Sequence, residues 1–387
     1  MILVTVSANP AFHSEVRSVL DGHFRFEENW ALVFADAARL RSAEASAKYL
    51  LIMDFAEPSP ALMLAAVVDG RPHFATIAVG VGSTREELLR LMQAGIRDVL
   101  PGSNLADLLG VANRAAAKLA AGEDRLGELY AFVPAKPGCG ATTLATNATA
   151  ISAAMSGEPT LLLDFDIRLG VTSFLLKVEG NHTIVDALQQ AERLDKDLWS
   201  NLVAQRGNLH VLGSGPVDFA QTVPWERFSA ILDYSLRTYS RVSVDLPGTA
   251  ELHESETLLR ANRIFLVCTP DTAALHVARR KSNWLRELGL ADRISLVLNY
   301  IQRRSTLSVS DLERIIQLKI EYILPSSPDE ISRAVHKGVP VEGSSPLAKQ
   351  IARIASEICA VEQEKKRSPV RRFVDYFSIS AAREARS

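Results

Sequence analysis

Short apolar runs alternate with amphipathic stretches along almost the whole chain. The first four runs predict buried strands at Ile2–Val6, Phe24–Glu28, Tyr49–Met53 and Thr76–Val79. Stretches with helical periodicity lie between and after them, at Ala11–Leu20, Ala35–Ser46, Leu62–Val68, Thr84–Ala94 and Leu105–Leu119. Because strands that alternate with helices pack as a parallel sheet covered on both faces, residues 1–120 predict a doubly wound α/β domain.

The same alternation resumes after a polar, glycine-bearing segment, residues 121–128, which is typical of a linker. About seven more strands are predicted, at Tyr130–Val133, Thr160–Leu163, Leu209–Leu212, Arg241–Val244, Ile264–Val267, Ile294–Leu298 and Ile320–Ile323. Helical patterns separate most of them. Residues 129–362 therefore predict a second doubly wound α/β domain, and residues 363–387 form a basic tail.

Composition and charge narrow the possible partners and the cellular compartment of the protein. Hydrophobic residues make up 47% of the 387 residues and charged residues 23%, so a packed core is expected. The formal net charge of −2 gives no global basic field, so no specific nucleic-acid partner is expected, although a local patch stays open. The chain's cysteines, Cys139, Cys268 and Cys359, share no metal spacing and indicate a reducing compartment. With no signal-peptide pattern and no apolar run near about 20 residues, a cytoplasmic protein is expected.

A glycine-rich turn joins the strand Tyr130–Val133 to the helical run Leu144–Ala154. Such a turn presents free N–H groups and the positive end of a helix to an anion, so it predicts a phosphate site. The usual loop reads G-x-x-x-x-G-K-[ST], whereas residues 135–142 read A-K-P-G-C-G-A-T. Ala141 takes the place of the lysine, and Lys136 lies near the start of the loop. The predicted nucleotide-binding residues are Lys136, Pro137, Gly138, Cys139, Gly140, Ala141, Thr142 and Thr143.

Three later strands also end in polar residues: one in D-x-D (Asp164 and Asp166), one in D-x-P (Asp245) and one in Asn299. The carboxyl ends of parallel strands meet at one edge of a sheet, where such folds bind ligands. Because hard cations prefer oxygen ligands, Thr142, Asp166 and Asp245 are predicted to hold Mg²⁺ directly or through water. The Asn299 amide can donate and accept at a base edge; a polar strand end is the alternative.

In this order, the loop and the strand ends resemble the deviant Walker ATPases of the ParA/MinD superfamily. The resemblance covers nearly all of residues 129–345 and includes the late segment 323–340. It implies a P-loop NTPase fold in which a lysine early in the loop, here Lys136, reaches across an ATP-sandwiched homodimer. Lys136 is thus the predicted catalytic residue, expected to replace the missing charge at the phosphates in cis or across the dimer. It also implies that Asn299 and Pro325 lie near adenine. A solvated surface lysine is the alternative for Lys136.

The first domain resembles the receiver domain of response regulators. Residues 89–100 have its helix, Ala-Gly, strand ending, and Asp54 ends the third strand, where a receiver carries its phosphorylated aspartate. A receiver needs two acidic residues after the first strand to hold Mg²⁺, but residues 7–9 read Ser-Ala-Asn. The lysine expected near the last strand falls at Gly102. Asp54 is therefore predicted to be a vestigial phospho-acceptor in a degenerate receiver that binds proteins.

A receiver-like domain fused to a MinD-like domain resembles the CpaE/TadZ pilus-assembly family, in which many members carry alanine at the loop lysine. Residues 183–188, T-I-V-D-A-L, and Asp245-Leu246-Pro247 followed by Pro270-Asp271 carry the same resemblance. It implies an assembly and localisation factor of a Tad (Flp) type IV pilus secretion system, with the proteins of that machine as partners. A polar or membrane-associated place within the cytoplasm fits this role.

The loop substitutions set the expected chemistry. Phosphoryl transfer depends on positioning and on charge stabilisation, and Ala141 removes a charge beside the β- and γ-phosphates. Pro137 removes one N–H donor, while the other amides and the helix dipole remain. We expect ATP and Mg²⁺ binding with weak or absent hydrolysis. An active MinD/ParA-type positioning ATPase that cycles on a membrane or partner, and a signalling protein regulated by a phosphorylated receiver, are the alternatives.

The tail places apolar residues on one face of a short helix, at positions Val370, Phe373, Val374 and Phe377. Basic residues surround them: Lys365, Lys366, Arg367, Arg371 and Arg372. A basic amphipathic helix can lie on an anionic membrane surface, so membrane contact through residues 365–377 is predicted. A frayed tail, or a helix packed on the domain, is the alternative.

Overall fold

The structure is a computed structural model. It describes residues 1–32, 47–56, 58, 61–62, 64–65, 74–82, 84–96, 98–102, 105–120, 126–178, 180–215, 223–249, 251–301 and 308–360. These residues form two compact units, one within residues 1–124 and one within residues 125–365. The predicted helix Ala35–Ser46, most of the predicted linker and the tail with its predicted membrane contact lie outside the described residues. In the described ranges, no helix is long and apolar enough to cross a membrane.

The first unit is built on a parallel five-stranded sheet in the order β2-β1-β3-β4-β5. Its strands are β1 Ile2–Val6, β2 Arg25–Leu32, β3 Tyr49–Asp54, β4 Phe74–Val81 and β5 Asp98–Pro101. Its helices with defined bounds are α1 Pro10–Leu20, α2 Arg85–Gln93 and α3 Leu108–Ala120. The order is that of a flavodoxin-like doubly wound sheet. Apolar strand residues such as Leu50 and Ile52 are fully buried, so the sheet forms the centre of this unit.

The second unit is built on an eight-stranded sheet in the order β13-β12-β11-β6-β10-β7-β9-β8. Its strands are β6 Glu128–Pro134, β7 Thr160–Asp164, β8 Ala204–Arg206, β9 Leu209–Leu212, β10 Arg241–Asp245, β11 Arg263–Cys268, β12 Ile294–Ile301 and β13 Ile320–Pro325. All neighbours pair in parallel except β8 and β9. The predicted α/β class, with parallel sheets in both halves, is confirmed.

Helices connect most of these strands. Those with defined bounds in the second unit are α4 Ala141–Ser156, α5 Thr172–Leu176, α6 Ile184–Gln189, α7 Lys196–Leu202, α8 Trp225–Thr238, α9 Leu252–Arg260, α10 Thr272–Glu287, α11 Val309–Ile316, α12 Pro328–Lys337 and α13 Pro346–Cys359. Strand β6 lies inside the sheet between β10 and β11. Helix α4 follows it directly, so the glycine-rich turn opens at the carboxyl edge of the sheet.

Two features differ from the predicted elements. Strand β8 is antiparallel and was not predicted, because its three residues are partly or fully exposed and carry no apolar run. Helix α4 begins at Ala141, three residues before the predicted start at Leu144. The apolar periodicity begins at Leu144, whereas the helix begins where the loop geometry ends, since Gly140 is its N-cap residue.

Candidate nucleotide-binding site

The turn between β6 and α4 is a loop whose two glycines serve different purposes. Gly138 (φ +85°) and Gly140 (φ +89°) both lie in the left-handed region that favours glycine. A Cβ on Gly138 would meet nothing within 4 Å, so its side is open. A Cβ on Gly140 would lie 2.5 Å from Nδ2 of Asn299, so only glycine fits there. The loop is therefore open at Gly138 and closely packed at Gly140.

Asn299 packs against Gly140 and supports the loop. It is 7% exposed, its Nδ2 donates to the carbonyl oxygen of Cys139 at 2.9 Å, and its Oδ1 accepts from the Tyr300 N–H at 2.9 Å. The amide nitrogen and the amide oxygen with which Asn299 could recognise a base edge thus each form a hydrogen bond with the backbone. Pro325 ends β13 and pairs with Ile301 of β12. The adenine contacts of Asn299 and Pro325 stay predictions.

A pair of buried carboxylates lies at the carboxyl edge beside the loop. Asp245 and Asp164 are direct neighbours on β10 and β7 and are almost fully buried. The Thr142 side chain lies close enough to Asp245 to oppose part of the rise in its pKa, and the Oδ1 atom of Asp245 is buried without a hydrogen-bond partner. Burial, together with the nearby Asp164 charge, holds the pKa of Asp245 well above its usual range.

Asp164 is better satisfied than Asp245. It accepts from the N–H and the hydroxyl of Thr172 at 3.2 and 2.9 Å and from the Asp166 N–H at 3.1 Å. Burial still raises the pKa of Asp164 to about 6. Asp166 is half-buried, accepts from the Arg168 and Leu169 N–H groups, and adds its charge to the field on both neighbours. The structure thus brings together the predicted metal-binding residues Thr142, Asp166 and Asp245.

These residues fit a magnesium ion that is bound together with phosphate. A buried carboxylate oxygen without a partner and an adjacent hydroxyl are oxygen ligands of the kind Mg²⁺ takes, and a cation would offset the clustered negative charge. Across the part of the chain that the structure describes, no group of three or more His, Cys, Asp or Glu side chains is arranged around a metal position. Mg²⁺ usually takes one or two carboxylates and completes its shell with water and phosphate oxygens.

Lys136 is partly exposed and forms an ion pair with an acidic residue outside the loop. Its Nζ is 3.8 Å from a carboxylate oxygen of Asp271, and its side chain is 37% exposed. Asp271 caps α10 and accepts from the Thr269 hydroxyl and the Ala274 N–H, and these hydrogen bonds lower its pKa. Exposed ion pairs contribute about 0–1 kcal/mol, so Lys136 can leave Asp271 at little cost.

The loop after Asp245 is fixed by two residues that sequence reasoning missed. Lys281 of α10 donates from Nζ to the carbonyl oxygens of Pro134 and Gly248, both at 2.7 Å. Glu254 of α9, almost fully buried, accepts from the N–H of Thr249 at 2.9 Å and from its hydroxyl. Lys281 lies 33 positions from Gly248, and Glu254 lies on the helix that follows the loop, within an amphipathic pattern that does not mark either residue as a loop partner.

Two further contacts were also missed. Asn147 of α4 donates to the Thr143 carbonyl at 2.7 Å and accepts from the Val341 N–H at 2.7 Å, so it joins the loop helix to the segment before α13. Tyr300 has φ +58°, and its hydroxyl oxygen is 2.9 Å from the position of a Cβ on Gly140. An aromatic residue rarely adopts this conformation, so the Tyr300 backbone is strained beside the loop.

In the first unit, Asp54 ends β3 and is engaged by neighbouring groups. The Ser7 hydroxyl donates to its Oδ2 at 2.6 Å, and the Ala56 N–H donates to its Oδ1 at 2.9 Å. Ser7 itself is fully buried and its Oγ accepts from the Asn9 N–H. The Ser7 hydroxyl thus contacts Asp54 from the end of β1, where a receiver domain has the acidic residues that bind its metal ion.

No protein-family model matches the sequence. The septum site-determining protein MinD of Thermotoga maritima is 24% identical over 243 residues, which span 60% of this chain and 88% of that protein. A ParA family ATPase of Chlorobium tepidum superposes with a TM-score of 0.55 at 22% identity, over 60% of this chain and 98% of the other. The cell division ATPase MinD of Pyrococcus furiosus superposes with a TM-score of 0.50 at 22% identity and the same coverage.

These similarities agree with the geometry of the second unit. A phosphate-type loop, an acidic carboxyl edge and a parallel sheet are all present, and the solved neighbours are MinD and ParA P-loop NTPases. The chain therefore has the fold of these NTPases, and its sequence is similar to that of a MinD protein. The ParA/MinD resemblance predicted from the strand ends is confirmed at this level.

Proposed function

We propose that this protein binds Mg·ATP in its second unit, forms a homodimer around the nucleotide and serves as a localisation and assembly factor of a Tad (Flp) type IV pilus secretion system. The observation that carries the proposal is Ala141 at the place of the lysine, in a loop that keeps Gly138, Gly140 and its acidic partners. Such a site favours nucleotide binding over rapid turnover, because phosphoryl transfer depends on charge at the phosphates. Hydrolysis is weak or absent.

Different residues of the chain are proposed to bind the phosphates and the metal ion. The N–H groups of Gly138 and of residues 140–143, at the positive end of α4, would donate to the phosphates, whereas the Cys139 N–H already donates to the Lys136 carbonyl oxygen at 3.3 Å. Thr142 and Asp245 would hold Mg²⁺, with Asp166 beside them. When bound, Mg²⁺ offsets the charge of the β- and γ-phosphates. Asn299 holds the loop in shape through Cys139.

Lys136 is the residue proposed to act across the dimer. Its weak pair with Asp271 and its exposed side chain leave it able to reach a second copy. The first unit is proposed to be a degenerate receiver that binds proteins of the pilus machine, since its strand order is flavodoxin-like and Ser7 already engages Asp54. The proposed place is the cytoplasm, with membrane contact through residues 365–377.

An active positioning ATPase of the MinD/ParA type is the second candidate. The homology to MinD and the intact acidic edge support it. Turnover separates the two candidates, because both require nucleotide binding and dimerisation but only the second requires hydrolysis at each cycle.

The test combines calorimetric binding of Mg·ATP, molar mass by light scattering and phosphate release. The proposal expects ATP binding, an ATP-dependent dimer and a release rate far below that of a MinD ATPase measured in parallel. Lys136→Ala should bind ATP but stay monomeric, while Lys349→Ala, at an exposed position of α13, should behave as wild type. Rapid release would favour the second candidate, and a dimer formed by Lys136→Ala would refute the role of that residue.

A further inference from the structure

The phosphate loop has Ala141 where the usual loop carries its lysine, but a lysine from another element lies at the base of the loop. Lys281 belongs to α10, which follows β11 rather than the loop strand. Its Nζ donates at 2.7 Å to the carbonyl oxygen of Pro134, the last residue of β6 before the loop. It donates at the same distance to Gly248, three residues after Asp245. The ammonium therefore lies where the loop and the segment after Asp245 come together.

The contact is close. A Cβ on Gly248 would lie 2.7 Å from Nζ of Lys281 and 3.1 Å from the Pro134 carbonyl oxygen, so glycine is required for this approach. Gly248 also has φ +79°, which favours glycine. The position of the ammonium is thus fixed by backbone on two sides.

The ammonium also lies in a partly dry environment. Lys281 is half-buried, and desolvation lowers its pKa, while the nearby Glu254 charge opposes this effect. An ammonium has three N–H donors. Among the described residues, the Lys281 ammonium donates two of them, to Pro134 and Gly248. A positive charge acts more strongly in such a place than in water, and one donor remains for a ligand.

We propose that Lys281 supplies, from α10, the positive charge that the loop lacks at Ala141, and so positions the phosphates of the bound nucleotide. The proposal rests on the ATP binding proposed above. Lys136 is less suited to this task, because it is exposed and paired with Asp271. The competing role for Lys281 is structural: a counter-charge for the buried Glu254 that only holds the Gly248 segment in place.

A double-mutant cycle in the full chain separates the two roles. The variants are Lys281→Met, Ala141→Lys and their combination, with Lys281→Arg to keep the charge and Lys349→Met as the exposed control. Calorimetry gives the affinity for Mg·ATPγS and for Mg·ADP, and thermal unfolding without nucleotide reports folding.

If Lys281 supplies the charge, Lys281→Met weakens ATPγS binding at least tenfold, and more than it weakens ADP binding. Lys281→Arg and Lys349→Met stay within threefold of wild type. Ala141→Lys gains less than threefold in the wild-type background but at least tenfold beside Lys281→Met.

Equal gains from Ala141→Lys in both backgrounds would overturn the proposal, as would a folded Lys281→Met protein with wild-type affinity. Should Lys281→Met fail to fold, Ala141→Lys alone decides: a gain of tenfold or more would show that the site has no such charge. A wild-type protein that binds no ATPγS would overturn the proposed function as well, whereas the other adverse outcomes leave it standing.

Discussion

Asp245 and Asp164 are direct neighbours on β10 and β7, and the Oδ1 atom of Asp245 is buried without a hydrogen-bond partner. Asp245 ends β10, and the side chain of Thr142, the second residue of the loop helix α4, lies near enough to oppose part of the rise in the pKa of Asp245. A buried carboxylate with one unsatisfied oxygen destabilises the protein that holds it. A cation beside Asp245 would offset this cost.

Asp245→Asn should stabilise the nucleotide-free protein. The amide removes the buried charge, so the unfolding free energy should rise by about 1–3 kcal/mol at neutral pH. The Mg²⁺-dependent part of ATP affinity should disappear. Thermal unfolding and calorimetry measure the two effects, with the exposed Asp292→Asn as control. A destabilised Asp245→Asn protein would show that the ionised carboxylate contributes to the fold.

The same carboxylates predict a pH dependence. Burial raises the pKa of Asp164 to about 6 and that of Asp245 well above its usual range, so the folded state binds these protons more tightly than the unfolded state. Their contribution to stability is therefore complete below the unfolded pKa of about 4 and is lost as the pH rises through the folded values. Without nucleotide, the stability gain of Asp245→Asn over wild type should be largest near pH 7.5 and shrink toward pH 5.

Acid should act in the opposite direction on ligand binding, because protons compete with Mg²⁺ for Asp245. Mg·ATP affinity should fall between pH 7.5 and pH 5, in the range set by the raised pKa values. Calorimetry at several pH values, with Asp245→Asn as the reference, measures this. Affinity that is independent of pH would mean that Asp245 does not meet the cation.

The two loop glycines should respond differently to alanine. Gly140→Ala places a Cβ 2.5 Å from Asn299 Nδ2 and breaks the bond from Asn299 to Cys139, so about 2–4 kcal/mol of stability and most ATP affinity should be lost. Gly138→Ala meets open space and should cost about 1–2 kcal/mol for its positive φ alone. Denaturant unfolding and ATP binding compare the pair. Equal losses of stability and ATP affinity in the two variants would argue against close packing at Gly140.

Tyr300→Gly tests the strained backbone next to the loop. Glycine relieves the left-handed conformation, and Tyr300 is 42% exposed, so the unfolding free energy should rise by about 0.5–1 kcal/mol. Thermal unfolding measures this, and Tyr300→Asn, which also tolerates a positive φ, is the matched variant. A loss of stability in both would show that the packing of Tyr300 on Gly140 outweighs the strain.

Much of the fold could be predicted because parallel strands buried on both faces appear as apolar runs. The runs at Thr160–Leu163 and Arg241–Val244 were placed within a residue of β7 and β10. The exposed β8 gave no such signal. Of the candidate site, the loop and its acidic edge could be located from the chain, since loop residues are neighbours in sequence and strand ends converge in any parallel sheet.

The sequence by itself determined the parallel α/β class, the phosphate loop with Ala141 at the lysine position, and the carboxylates at the strand ends. Only the tertiary structure decided that Asn299 turns inward to Cys139 and that Lys281 meets Pro134, residues 147 positions apart in the chain. The reason is physical: an apolar period or a glycine turn is a local property of the backbone. The partner of a long polar side chain depends instead on how distant elements pack, and on which buried carbonyls that packing leaves to be satisfied.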